Sequence, residues 1–400
     1  MTHISGIYLL FMALVILFLG RFVTSYVPWL KRWHIPSPVT GGLLCSLLIT
    51  LVSYFTATRF SFDLYLRDIL LLCFFSTIGL SARIRLLISG GKTLTTLMVI
   101  AVLFLIVQNT AGVATALALG SDPIHGLLAG TITFAGGHGT AITWGTFLEG
   151  KGYEGAMEFG LIAATLGLIL GGLVGGPVAR RLIHHYQLRG DSQKKVTTPT
   201  IEQENQPVTL NGRHLLSAIF CICTCIIVGL AIQDQLKALG VVLPDFVPVL
   251  FTGILITNLC DSFKLSMKQP ELNMLGDISL QLFIAMSLMT LKLHYLASVA
   301  GVLIAITVVQ VIVIILFAWF VVFQAAGRNY DSSIITAGFI GMGLGATPVG
   351  MANMNTLAHR YGPSPKAFLV VPLIGSFFID IANALILKGF LLLPVFTAGG

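Results

Sequence analysis

Hydrophobic residues fall in long blocks along the chain, at positions 6–28, 38–58, 66–82, 93–119 and 156–180, and again at 214–232, 242–260, 272–291, 298–324 and 366–394. A helix of about twenty residues crosses the hydrocarbon layer of a bilayer, so each block predicts one crossing. Two further apolar stretches, 124–148 and 331–357, are broken at their centres, the first by Gly136, Gly137, His138 and Gly139 and the second by Gly341, Gly343 and Gly345. Glycine lets the backbone turn and exposes N–H and C=O groups that hydrocarbon cannot satisfy. Such backbone is tolerated at membrane depth only where protein or water lines it. Broken segments at corresponding places in two halves of a chain point to the binding site of a transporter.

A polar stretch from His184 to Arg213, carrying Gly190, Asp191, Lys194, Lys195, Pro199, Glu202, Glu204 and Pro207, separates the two sets of blocks and reads as a linker. The sets echo each other in letters. Leu66-Arg67-Asp68-Ile69 answers Leu275-Gly276-Asp277-Ile278, Val107-Gln108 answers Val309-Gln310, Pro36 answers Pro244, and Gly139-Thr140 answers Ala346-Thr347, at offsets of 209, 202, 208 and 207 residues. A near-constant offset over four landmarks indicates an internal duplication. The expected fold is therefore an all-α polytopic membrane protein of two five-span repeats, 1–183 and 214–400, joined by a cytoplasmic linker, 184–213.

Five crossings is an odd number, so the second repeat enters inverted, with each broken segment re-entrant and both termini on one side. With the N-terminus outside, six of the 23 Lys and Arg residues (Arg59, Arg67, Lys151, Lys237, Lys292 and Lys388) lie outside, Arg21 lies within the first span, and the other sixteen face the cytoplasm. That excess of positive charge inside supports the orientation.

Composition agrees. The 400 residues are 56% hydrophobic and only 10% charged, with a mean hydropathy of +0.93, where soluble domains carry roughly a quarter charged residues. The net charge of +7 sits in short loops with no aromatic-interleaved basic face, so nucleic acid is not an expected partner and the lipid bilayer is. The first apolar block has no basic residue before it and no cleavage signature, so it is kept as a span. Cys45, Cys73, Cys221, Cys223, Cys225 and Cys260 lie in or beside apolar blocks and read as small buried hydrophobes.

The segments FAGGHGTA and GMGLGATP, the polar central linker, the duplicated five-span halves and the ending FFIDIANALILK closely resemble bacterial sodium/glutamate symporters, over essentially the whole chain. The resemblance implies sodium-coupled uptake of L-glutamate across the inner membrane, with the glycine motifs on re-entrant loops at the translocation site; with the orientation read from the charge count, both termini are then periplasmic. It also implies a homodimer with a static scaffold and a mobile transport unit. No cofactor is expected beyond Na⁺ as coupling ion, and no enzyme activity.

A dicarboxylate needs positive potential, yet no Lys or Arg lies deep in any span apart from Arg21 near an end. Helix N-termini supply it, through orphan amides and the helix dipole. Gly136, Gly137, His138, Gly139 and Thr140 in the first segment, and Gly343, Gly345, Ala346 and Thr347 in the second, stand where half-helices would restart, with the Thr140 and Thr347 hydroxyls as donors. These glycines could instead serve close helix packing, as Gly171, Gly172, Gly175 and Gly176 do on one uninterrupted run. His138 either bonds a substrate carboxylate or carries a proton, or is a buried imidazole braced by neighbouring carbonyls.

Asp380 sits at the centre of the last span, with Ser376, Asp380 and Asn383 at helical spacing on one face. A carboxylate there requires a partner: Na⁺, the substrate ammonium, or a packing hydrogen bond. Unwound carbonyls such as those of Phe134, Ala135, Gly341 and Met342 would complete a cation site. Gln108, Asn109 and Gln310, polar at mid-span, either line the path or bond between helices, and Asn353 is a further candidate.

Rival classes fit less well. A symporter of another carboxylate, coupled to protons or sodium, differs only in ligand. A channel would need a symmetric pore and no coupling. An intramembrane enzyme would need paired aspartates in spans, a zinc set or a Ser-His pair, none of which the spans offer.

Overall fold

The computed structural model describes residues 2–28, 30, 36–56, 60–84, 91–188, 211–239, 243–263, 269–291 and 296–397. In chain order the elements are β1 (Thr2–Ile4), α1 (Gly6–Tyr26), α2 (Ser37–Thr56), β2 (Phe60–Phe62), α3 (Tyr65–Ser81), α4 (Gly91–Ala118), α5 (Pro123–Leu127), a π turn (Leu128–Ile132), α6 (Gly137–Glu149), α7 (Ala156–His185), α8 (Gly212–Ala238), α9 (Phe246–Ser262) and α10 (Gln269–Met289). There follow α11 (Leu296–Phe317), a second π turn (Ala318–Val322), α12 (Phe323–Ala325), α13 (Tyr330–Leu344), α14 (Thr347–Tyr361), α15 (Pro365–Leu373), a third π turn (Ile374–Phe378), α16 (Ile379–Leu391) and α17 (Pro394–Thr397).

The expected helical class is what is found, with one small addition: β1 and β2 pair in parallel, Thr2 opposite Phe60 and Ile4 opposite Phe62. Among the described residues, six helical stretches are long and apolar enough to cross a membrane. The linker's middle, 189–210, lies outside the described residues, and its two ends are helical, in α7 and α8.

Local chemistry explains the element ends. Asp122 caps α5 by accepting from the Ile124 amide at 2.8 Å, with Pro123 at the first helical position. Asn329 opens α13 with a reciprocal capping box, its side chain accepting from the Ser332 amide at 2.9 Å. The last apolar block is one continuous run in the sequence. Pro372 lacks an N–H and crowds the preceding turn, and a π turn follows it, so the run becomes α15 and α16.

The chain divides into two compact units, one of residues 1–83, 142–158 and 210–298, the other of 84–141, 159–209 and 299–400. Each draws on both sequence halves, so neither half is a compact unit by itself.

In the first unit, α1 packs on α2, α3 and α10; α10 packs on α2 and α3; and α8 and α9 pack on each other and on α3, α8 also reaching α10. Exchanging the halves maps this neighbour set onto itself. The pair α1–α2 becomes α8–α9, α2–α10 becomes α9–α3, and α1–α10 becomes α8–α3. Close crossings follow the same exchange. A methyl group on Gly79 of α3 would overlap the Leu250 carbonyl of α9, and one on Gly42 of α2 would overlap the Leu288 side chain of α10. Leu9, Ala13, Ile16 and Leu17 pack on Leu282, Ala285, Met286 and Met289 in its core.

The second unit holds α4, α5, the start of α6, most of α7, and α11 to α17. α4 and α5 run antiparallel with backbones touching, since a methyl on Gly126 would overlap Gly112. Beyond the π turn the chain reverses: the Leu128 and Thr133 side chains and the Ala141 carbonyl all stand 3.5 Å from the place a Gly160 methyl would take on α7. α13 and α14 form a tighter hairpin about Gly345 and Ala346. A methyl on Gly341 would lie 2.6 Å from the Gly350 Cα, and one on Gly338 would overlap Met354.

Candidate functional site

The first break is built by hydrogen bonds that take backbone groups out of helices, while the second follows a helix bonded regularly to its end. In the first, Ala129 (φ −88°, ψ 29°) and Gly130 (φ −116°, ψ −133°) leave helical geometry. The Thr131 amide turns to the Asn109 side-chain oxygen on α4, 3.0 Å away. The reversed strand is then closed by Gly136 N–H to Thr131 O at 3.1 Å, Gly137 N–H to Thr133 O at 2.7 Å, and the Thr140 hydroxyl to Ile132 O at 2.7 Å. Gly137 sits at φ +76°, where a side chain is strained, and α6 starts there. In the second break, Gly345 N–H still reaches Gly341 O at 2.9 Å, Ala346 is extended, and α14 starts at Thr347.

The two tips meet. A methyl on Gly137 would stand 3.7 Å from the Gly345 carbonyl oxygen, so the N-termini of α6 and α14 open at one place. Orphan N–H groups and the positive ends of two helix dipoles are thereby brought together. Among the described residues of this unit no Lys, Arg, Asp or Glu is buried, so these helix ends are the positive potential available inside it.

The side chains marked by the sequence fall around this junction in different ways. His138 is buried, 6% exposed, with Nε2 3.1 Å from the Thr165 hydroxyl of α7. Thr165 spends its own proton on Leu161 O at 3.0 Å, so the imidazole donates through Nε2 and keeps Nδ1 as an acceptor. Gly139 lies buried in the first turn of α6. The Thr140 hydroxyl is engaged with the loop's own carbonyls, Ile132 O and Gly137 O, and so acts as an internal brace. The Thr347 side chain and Met342 sulfur both pack where Gly375 leaves room, a methyl on Gly375 coming within 2.8 Å of that sulfur. A methyl on Gly136 would come within 2.8 Å of Ile132 O, and one on Gly343 within 2.8 Å of Phe104 and Ile314. Ala135 is buried beside them and Ala346 is half-buried.

The mid-span amides hold the hairpins. Gln108 donates to Gly343 O at 2.9 Å, Gln310 to Gln108 O at 2.8 Å, and Asn353 to Gly171 O at 2.9 Å. Asn383 of α16 donates to Thr131 O at 2.9 Å, which ties the last span to the first break. Asp380, half-buried, precedes it by one turn on the same helix. Ser376 stands inside the π turn before Asp380, and its side chain lies outside the described residues. Of the α7 glycines, Gly171 and Gly175 pack on the second hairpin, while a methyl on Gly176 meets nothing within 4 Å.

Sequence reasoning missed Thr131, Thr133 and Thr165. The first two flank the break as Thr-Ile-Thr, a polar alternation just before the glycines that was legible as a signal.

Six membrane-length helices among the described residues and two glycine breaks meeting inside one unit define a polytopic membrane protein. The chain belongs to the sodium/glutamate symporter family, whose pattern it matches over residues 2–363. It is 42% identical over 400 residues to a protein of Escherichia coli (strain K12) named sodium/glutamate symporter, covering 99% of this chain and 100% of that one. A protein of the same name from Haemophilus influenzae (strain ATCC 51907 / DSM 11121 / KW20 / Rd) is 39% identical over 383 residues, covering 94% and 95%. A solved structure of the sodium proton antiporter MjNhaP1 from Methanocaldococcus jannaschii aligns over 96% of this chain and 97% of that one, at 16% identity and a TM-score of 0.41, too distant to bear on fold or function.

Proposed function

We propose that this protein is a symporter that couples L-glutamate uptake to Na⁺ across the bacterial inner membrane. The observation that carries the reading is the junction of the α6 and α14 N-termini at Gly137 and Gly345, in a unit whose described residues include no buried Lys or Arg. An anionic substrate finds there the orphan amides and dipole ends it needs, and excludes competing water from them. The half-buried Asp380 answers either the cation or the substrate ammonium. This arrangement is that of discontinuous helices whose positive ends face an anionic group while nearby oxygens take the ion.

The two hairpins are read as re-entrant loops that enter from opposite faces of the membrane. The exchange symmetry of the first unit's neighbours supports two inverted repeats of five spans, and with them an orientation that leaves both termini periplasmic. Every candidate residue falls in the second unit, which we take as the transport unit, with the first as scaffold in a homodimer. Alternating access then presents one site to each side in turn.

Uptake of radiolabelled L-glutamate into proteoliposomes tests the reading. An inward Na⁺ gradient is expected to drive accumulation above equilibrium, and choline in place of Na⁺ to stop it. Equal accumulation in choline under a proton gradient would overturn sodium coupling, and no accumulation of glutamate alongside uptake of another carboxylate would overturn the substrate.

A further inference from the structure

Around the first break, fully buried polar atoms stand without partners among the described residues. Thr131 Oγ1, Thr133 Oγ1 and Asn383 Oδ1 make no hydrogen bond there, although Thr131 and Thr133 are 0% exposed and Asn383 is 1% exposed. Buried polar groups are seldom left so, and each such group calls for an explanation. The orientation of the Asn383 amide follows from chemistry. The Thr131 carbonyl can only accept, so the amide nitrogen faces it at 2.9 Å and Oδ1 must point elsewhere. That carbonyl also accepts from Gly136 at 3.1 Å, so both its lone pairs are engaged and the free oxygens are those of side chains. On the other side of Thr131, Asn109 turns its oxygen to the Thr131 amide and leaves its Nδ2 a donor, which takes no part in cation binding.

The free atoms on Thr131, Thr133 and Asn383 are all neutral oxygens, the ligand type that hard cations take. Charge lies within reach. Asp380 is one turn from Asn383 on the same helix, and among the described residues its carboxylate meets no basic side chain and no hydrogen-bond donor. A buried water would satisfy the oxygens but leave that carboxylate uncompensated in the bilayer, whereas a monovalent cation satisfies both.

We propose that the coupling cation is held at the first break by the Thr131 hydroxyl and the Asn383 amide oxygen, with Asp380 supplying charge at one turn's distance. This deepens the symporter reading and rests on it. It places the ion on the segment that forms the α6 tip, so that ordering the break by the ion orders the anion site as well.

The test is the thermal unfolding of purified protein in detergent across a NaCl series, with choline chloride holding ionic strength and glutamate absent. A ligand that binds the folded state raises the unfolding temperature with its concentration. Thr131→Val is expected to raise the half-stabilising Na⁺ concentration at least tenfold while unfolding in choline at the wild-type temperature, and Thr131→Ser, which keeps the oxygen, to respond as wild type does. Should Thr131→Val not fold, Asn383→Ser carries the same expectation. Wild-type Na⁺ dependence in Thr131→Val, or in Asn383→Ser where that stands in for it, would overturn the site and leave sodium coupling intact. No Na⁺ response in the wild-type protein would overturn sodium coupling itself.

Discussion

The side-chain amide of Gln108 donates to the backbone carbonyl of Gly343, 2.9 Å away, so a polar residue in the middle of one span holds the tip of a hairpin 235 residues further along the chain. Gln310 in turn donates to the Gln108 carbonyl at 2.8 Å, a backbone atom that any residue at 108 would keep. The two amides are therefore linked through main chain alone.

Gln108→Leu is expected to strand the Gly343 carbonyl and to cost about 1–3 kcal/mol, the usual penalty of a buried unpaired acceptor. Because the Gln310 bond survives that change, Gln310→Leu should add to it with an interaction energy under about 0.5 kcal/mol. A double-mutant cycle by denaturant unfolding checks this, and a coupling well above that size would mean the side chains meet directly.

Gly137→Val and Gly345→Val are expected to abolish transport while the protein stays in the membrane. Gly137 is at φ +76°, closed to a β-branched residue, and a methyl on Gly345 would lie 3.0 Å from the Leu168 Cα. The α7 glycines sharpen the comparison. Gly176→Ala, facing open space, should be silent, and Gly175→Ala, which would collide with Asn353, should lower the unfolding temperature. Normal transport by either valine variant would move the site elsewhere.

Asp380→Asn keeps shape and removes charge. The proposed ion site predicts that glutamate uptake then needs much more Na⁺ for half-maximal rate, by tenfold or more. Binding of glutamate and Na⁺ is reciprocal, so uptake alone does not separate the partners. Na⁺-dependent thermal stabilisation without glutamate does: its loss assigns the carboxylate to the cation, and its persistence assigns it to the substrate ammonium.

Topology is open to a cysteine-labelling experiment on a background freed of the native cysteines. A cysteine at Ser192 should react only from the cytoplasmic side, and one at Ala398 only from outside. Labelling of both from one side would remove the inverted-repeat reading, and the opposite pattern would reverse the orientation.

Much of the helical frame was legible because bilayer length and apolar block length are the same constraint. The block read at 6–28 is α1 at Gly6–Tyr26, and that at 66–82 is α3 at Tyr65–Ser81. The centres of the breaks were legible too, since glycine clusters in apolar runs have few other uses. The partners were not. Nothing near Thr131 says that its amide will turn to Asn109, or that Asn383, 252 residues away, will take its carbonyl. The π turn after Pro372 was hidden for a different reason: proline announces a lost hydrogen bond, and the surrounding fold decides how the helix absorbs it. The division into two units was invisible because it follows contacts and not chain order.

The α13–α14 hairpin, with the Gly341 backbone directly against that of Gly350, bears on how tightly a ligand can bind at its tip. Backbones in contact leave little freedom to lose. The conformational entropy of ordering this loop is given up when the protein folds, so on the proposed function a substrate arriving at Gly345 would meet amides already in place and keep for affinity what it would otherwise spend on ordering them.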